Sequence, residues 1–136
     1  MALVRQAIEQ SKTFGGLVDT INASDGFVYV EEGRCGHGVR SCFVTVTVAG
    51  GHRILWVYVD TQKRDWDLMG SIGHELRHTV EVLGSPSVTS RNTMYAFYHR
   101  LGTYGTDEAF ETVAAVDAGE AVRTEVRTYR ARVTAK

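Results

Sequence analysis

The chain has 136 residues, 43% of them hydrophobic, and a formal net charge of -1 at pH 7, which indicates one domain over residues 1–136. So balanced a charge disfavours binding to nucleic acid or to an anionic membrane surface. The longest apolar stretches, such as residues 55–59, are far shorter than the roughly 20 residues that cross a bilayer. The N-terminal residues lack a signal-peptide pattern, so a cytoplasmic protein and a mature exported chain both stay open.

The first half of the chain predicts two short helices followed by three strands. Apolar residues at positions 3, 4, 7 and 8, and again at 14, 17, 18 and 21, follow helical spacing. Strands are predicted at 27–30, 42–48 and 53–60 because β-branched and aromatic residues dominate there. The last two flank Ala49-Gly50-Gly51-His52, a typical β-hairpin turn. We therefore expect a small antiparallel sheet covered by helices.

The second half predicts three helices. The first spans residues 68–83, where positions 68, 72, 76 and 83 share one apolar face and Gly84 and Pro86 supply a stop. Ser90 is the expected N-cap of the second, which ends at Gly102. The third begins at Glu108, after a cap at position 106 or 107, and Gly119 weakens its middle. Together these elements predict an α+β fold with the sheet first and the helices after it.

The helix at 68–83 carries the pattern H-E-x-x-H, formed by His74, Glu75 and His78. Residues four apart on a helix project side by side, so both imidazoles can reach one Zn²⁺ ion. Glu75 lies about 100° further round the helix and can contact a water on the metal without being a ligand. The spacing therefore predicts a zinc-dependent hydrolase in which Glu75 is the general base.

Chance explains this motif poorly, because the five histidines and nine glutamates of the chain predict only about 0.01 random matches. The motif also lies opposite the apolar face of its helix, so burial of that face aims the histidines into a cleft. The alternative is a solvated polar face with two surface histidines.

A catalytic zinc site usually has three protein ligands, so a third ligand is expected. Glu81 is almost collinear with the two histidines but nearly two turns from His74, which favours a supporting or structural role. Glu108 and Glu111 are better placed, on the predicted C-terminal helix that would cross the first. Glu111 lies deeper in that helix, between Phe110 and Val113, where a buried carboxylate needs a cation. An exposed helix charge is the alternative for Glu111.

Several further side chains are candidates for supporting roles. His99, Tyr98 and Tyr104 could each donate to a developing oxyanion, His99 could also be a third imidazole ligand, and Asp117 could orient a ligating imidazole. Cys35 and Cys42 could form a disulfide, stay free thiols, or bind a structural zinc together with His37.

The chain resembles a group of uncharacterised bacterial proteins of the zinc-metallopeptidase type. The likeness is carried by Ser24 to Glu31, by Ile72 to Val82 with its H-E-L-x-H-x-x-E stretch, and by Phe110-Glu111-Thr112 with the residues that follow. It implies a minimal zincin of the gluzincin kind, with Glu111 as third ligand and Glu81 as part of the pattern. It also implies export, which favours the disulfide. It supplies no substrate.

These observations predict a zinc metallopeptidase in which His74, His78 and Glu111 bind Zn²⁺. Its partner is a peptide or protein substrate that adds to an edge strand of the sheet. The main alternative is a non-catalytic, zinc-stabilised module that binds a protein or peptide. A di-iron site is disfavoured because the chain has no second E-x-x-H motif.

Overall fold

A computed structural model describes residues 2–36, 38–102 and 110–135 of the chain. Five helices and three strands occur within these ranges: α1 (Ala2–Gln10), α2 (Lys12–Asn22), β1 (Gly26–Glu32), β2 (Ser41–Ala49), β3 (His52–Val59), α3 (Trp66–Leu83), α4 (Arg91–Leu101) and α5 (Val113–Thr134). The fold is α+β, as the sequence predicts. None of the described helices combines the length and the apolar character that crossing a bilayer requires.

Short polar residues mark where the helices begin. The side chains of Ser11, Asp65, Ser90 and Thr112 each accept a hydrogen bond from a backbone N–H in the first turn of the helix that follows. Gly102 ends α4 in the left-handed conformation. Helices at the predicted positions of α1 to α4 are confirmed. Apolar periodicity predicts α1 to α3, and the caps Ser90 and Gly102 predict α4.

The sheet is mixed, so the prediction of an antiparallel sheet is wrong for one strand pair. β2 and β3 form the predicted antiparallel hairpin, whereas β1 pairs with β3 in parallel, in the order β1-β3-β2. Local turn chemistry determines the hairpin, but β1 reaches it through an eight-residue connection and can pair with either edge. Because β1 takes the β3 edge, the other edge of β2 is left without a strand partner among the described residues.

The core lies between the inner face of the sheet and α3, which occupies the centre of the molecule. Leu68, Met69 and Ile72 of α3 are fully buried against apolar side chains of α2, α5 and β3. A second cluster joins β2 and β3 to α4 around Met94 and Tyr98. The sheet, α2 and α5 therefore pack against several sides of α3, the helix that carries the H-E-x-x-H motif.

Close approach of α3 and α5 depends on glycine. Gly119 does not interrupt α5, which continues through it to Thr134. A Cβ atom at Gly119 would lie 3.1 Å from the Gly70 carbonyl oxygen and 3.3 Å from the Cβ of His74, and one at Gly73 would lie 2.8 Å from Val122. Glycine is thus the residue that lets the two helices cross beside the first histidine of the motif.

Cys35 and Cys42 form a disulfide, which decides between the three alternatives for this pair. The bridge closes the connection between β1 and β2, and both cysteines line the cleft that contains the H-E-x-x-H motif. His37, the third residue of the alternative zinc site, lies outside the described residues.

Candidate metal centre

The two motif histidines lie side by side on α3. Their ring centroids are 4.9 Å apart, as the i, i+4 spacing predicts. His74 is half-buried, and the side chain of His78 is only 4% exposed. Burial lowers the pKa of His74, so this imidazole is neutral and able to ligate a metal at pH 7.

Glu111 faces both histidines, although it does not lie on the C-terminal helix as predicted. That helix begins at Val113 because the Thr112 side chain caps it, which leaves Glu111 in the extended segment before it. One Glu111 oxygen, Oε1, is 2.8 Å from His74 Nε2 and 3.8 Å from His78 Nε2. Glu108, the other candidate on that predicted helix, lies outside the described residues.

The three side chains fit a metal ion. One donor atom from each of His74, His78 and Glu111 lies within 4.8 Å of the others, and ligands about 2.1 Å from a tetrahedral zinc are themselves about 3.4 Å apart. The Nε2 atom of His78 is buried without a hydrogen-bond partner among the described residues. A buried polar atom without a partner is costly, and a cation between these three groups would remove that cost.

Glu81 lies on the far side of the His78 ring from Glu111. Its Oε1 is 2.8 Å from His78 Nδ1, and Thr112 donates to its Oε2 at 2.6 Å. The Tyr98 hydroxyl is 3.2 Å from the same Oε1 and 3.1 Å from the carbonyl oxygen of His78. The proton on Nδ1 of His78 is therefore donated to Glu81. Nε2 is then the ring nitrogen that faces Glu111 and can bind a metal ion.

The contact from Thr112 to Glu81 is not among the features that the sequence predicts. Thr112 both caps α5 and donates a hydrogen bond to Glu81. Because Glu81 in turn contacts His78, this residue links the start of α5 to His78. A signal was present, because threonine before a run such as Val113-Ala114-Ala115 is a typical N-cap.

We expect Glu81→Gln to weaken the binding of a metal ion to this group about 10- to 100-fold, because His78 loses the charged partner that orients its ring. Competition with a chelator of known affinity measures the change. Glu31→Gln, on the exposed side of β1, is the matched control and should have the metal affinity of the wild type. Equal affinity in Glu81→Gln and wild type would show that Glu81 does not orient the ligand.

Glu75 lies outside the three-residue donor group but lines the same cleft. Burial raises the pKa of this carboxyl to about 7, against the opposing influence of His78. A carboxyl with this pKa is present in both protonation states near neutral pH, so Glu75 can accept a proton and return it.

The structure separates the remaining candidates. Tyr98 is buried beside His78 and lines the cleft. His99 and Asp117 are exposed, and neither lines the cleft. Tyr104 lies outside the described residues.

The donor group opens into a cleft of about 630 Å³. One wall is the start of β2 with the disulfide, and another is α4, which contributes Met94, Tyr95 and Tyr98. Phe110 stacks on Tyr98 with ring centroids 4.8 Å apart. The cleft thus places an aromatic wall, and the edge of β2 that has no partner among the three described strands, next to the donor group.

Comparisons of the chain with known protein families, with curated protein sequences and with solved structures gave no match.

Proposed function

We propose that this protein is a zinc-dependent hydrolase that cleaves peptide bonds, with His74, His78 and Glu111 as the zinc ligands. The observation that carries the proposal is the buried Nε2 of His78, which has no hydrogen-bond partner among the described residues and faces Glu111 beside a second imidazole. Two imidazoles and one carboxylate form a donor set typical of catalytic zinc. When bound there, zinc supplies Lewis acidity that activates water and polarises the scissile carbonyl.

Glu75 is the general base and then the general acid in this proposal. Its carboxylate accepts a proton from the attacking water and donates it to the leaving amine. The pKa of about 7 that burial gives Glu75 suits both steps near neutral pH. The Tyr98 hydroxyl lies 3.3 Å from His78 Nδ1, so in this proposal it supports the metal-binding imidazole.

The open edge of β2 is the proposed binding site for an extended peptide. Residues 41–44 of β2 line the cleft, and β3 is the strand partner of β2 in the described sheet. The register shifts between Phe43 and Thr45, so Val44, which lines the cleft, is passed over in the pairing of β2 with β3. A substrate strand that adds to this edge gains main-chain hydrogen bonds and passes the donor group.

Metal content tests the proposed ligands. We expect protein purified without added metal to contain about one zinc per chain, His78→Ala to contain none and Glu111→Gln to bind zinc more weakly. His99→Ala, which changes an exposed histidine of α4, should keep the wild-type content. Wild-type protein that holds no zinc and takes up none on titration would overturn the proposal.

A non-catalytic, zinc-stabilised binding module is the second candidate function. It is favoured by the position of Glu111, which precedes α5 while both histidines lie on α3, so a metal would cross-link two parts of the chain. This candidate predicts bound zinc and a large loss of thermal stability on chelation, but no hydrolysis of any peptide.

Zinc affinity should rise with pH. Burial alone lowers the pKa of His78, yet the carboxylates of Glu111 and Glu81 together raise it to about 9. Below that pH the metal must displace a proton from Nε2, so we expect the affinity to rise about tenfold per pH unit from 6.5 to 8.5. Chelator competition at three pH values measures this slope, and a flat profile would contradict it.

A further inference from the structure

Three arginines line the cleft, and their surroundings differ. Arg40 and Arg123 both bind Asp67, at 3.1 and 2.9 Å. Arg91 has no carboxylate within ion-pair distance among the described residues, although its side chain reaches the cleft. Of these three arginines, Arg91 is therefore the one whose positive charge is left to pair with a bound molecule.

Tyr95 holds the guanidinium of Arg91 in place. Nε and Nη2 of Arg91 donate to the Tyr95 hydroxyl at 3.2 and 2.9 Å, and the guanidinium carbon lies 5.4 Å from the centre of that ring. These contacts leave N–H groups of Arg91 unused, and a planar guanidinium matches a carboxylate with two parallel hydrogen bonds. A fixed guanidinium also loses less conformational freedom on binding.

Arg91 lies on the side of α4 that faces the metal centre. Arg91, Tyr95 and Tyr98 have the i, i+4, i+7 spacing of one helix face, and Tyr98 contacts His78. Seven residues of helix rise about 10 Å, a distance that about three residues of extended chain also span. A peptide bound beside the metal centre can therefore place a carboxylate against Arg91.

The ion pairs around the cleft favour the same ligand. Arg40 also pairs with Asp65 at 2.8 Å, and Arg123 also pairs with Glu120 at 3.0 Å, so carboxylates neutralise both guanidinium groups. Among the described residues that line the cleft, Arg91 is the arginine that keeps an uncompensated positive charge. Such a charge attracts anionic groups to its side of the cleft.

We propose that Arg91 binds a carboxylate of the substrate, so that the cleft prefers acidic peptides over neutral ones. This inference rests on the proposed function, because it assigns the substrate class of the same cleft. The carboxylate can belong to an acidic side chain or to the C-terminus of the peptide.

Equilibrium binding tests the inference without a catalytic readout. The probes are hexa-alanine peptides with an uncharged dansyl label at the N-terminus and Glu or Gln at one position, each made with a free and an amidated C-terminus. They are titrated into zinc-loaded Glu75→Gln protein. We expect the carboxylate-bearing peptides to bind about tenfold more tightly than their neutral counterparts. A preference for Glu over Gln assigns a side chain, and a preference for the free over the amidated end assigns the C-terminus.

Arg91→Gln should abolish this preference, whereas Arg100→Gln, on an exposed part of the same helix, should keep it. Equal binding of charged and neutral peptides, no binding of any peptide, or a preference that persists in Arg91→Gln would each overturn the inference. Zinc uptake and hydrolysis without a charge preference would disprove this inference alone. A charge preference in a protein that takes up no zinc would disprove the proposed function alone.

Discussion

We expect Glu75→Gln to reduce kcat/KM for peptide hydrolysis by about 10²- to 10⁴-fold, the usual contribution of a general acid–base residue. The amide keeps the shape of the side chain but cannot accept a proton from water. Because Glu75 lies outside the donor group, the zinc content should stay at the wild-type value. Hydrolysis of a fluorogenic peptide library and metal analysis of the same preparation measure both quantities.

Glu31→Gln is the matched control, since Glu31 is an exposed residue of β1. It should cleave the library at the wild-type rate. A Glu75→Gln protein that holds zinc and also hydrolyses peptides as fast as the wild type would contradict the proposed role of Glu75. Loss of zinc together with activity would instead show that Glu75 supports the metal centre.

Arg53→Met should destabilise the fold by about 1–3 kcal/mol, the usual cost of leaving buried polar groups without their hydrogen-bond partner. Arg53 is 4% exposed and makes a two-point contact with Asp25 at 2.9 and 2.8 Å. Its Nη atoms also donate to the carbonyl oxygens of Val82, Leu83, Ser85 and Val88, at or just beyond the end of α3. Methionine would leave these buried acceptors without a donor.

Urea unfolding followed by circular dichroism, with a chelator present, measures this loss apart from any contribution of bound metal. Arg64→Met is the control. Arg64 pairs with Glu32 at 3.2 Å on the exposed surface, so its removal should change stability by about 0.5 kcal/mol or less. A similar loss in both variants would show that the contacts of Arg53 with the end of α3 add no special stability.

The sequence predicted the local features well, because each depends on residues close together in the chain. The i, i+4 spacing alone brings His74 and His78 side by side. Gly50 and Gly51 adopt the positive φ angles that the tight turn of the hairpin requires. Ser90 caps α4 and Gly102 ends it, as their residue types indicate.

The C-terminal helix shows where local reasoning failed. Candidate caps occur at positions 106 and 107 as well as at Thr112, and propensity does not rank them. In the folded chain Thr112 also binds Glu81, a contact 31 positions away that favours a helix start at Val113. The same start leaves Glu111 in an extended segment, where its carboxylate meets both histidines.

By itself, then, the sequence determined the motif helix, its paired histidines, the hairpin and the α+β class, since bonded geometry and short-range periodicity are enough for these. Only the tertiary structure decided the parallel pairing of β1, the position of Glu111 and the burial of Arg53. Each of these joins segments that are distant in the chain, and their meeting depends on how whole elements pack. The crossing of α3 and α5 at Gly73 and Gly119 brings the start of α5 to the histidines, and no local pattern encodes that crossing.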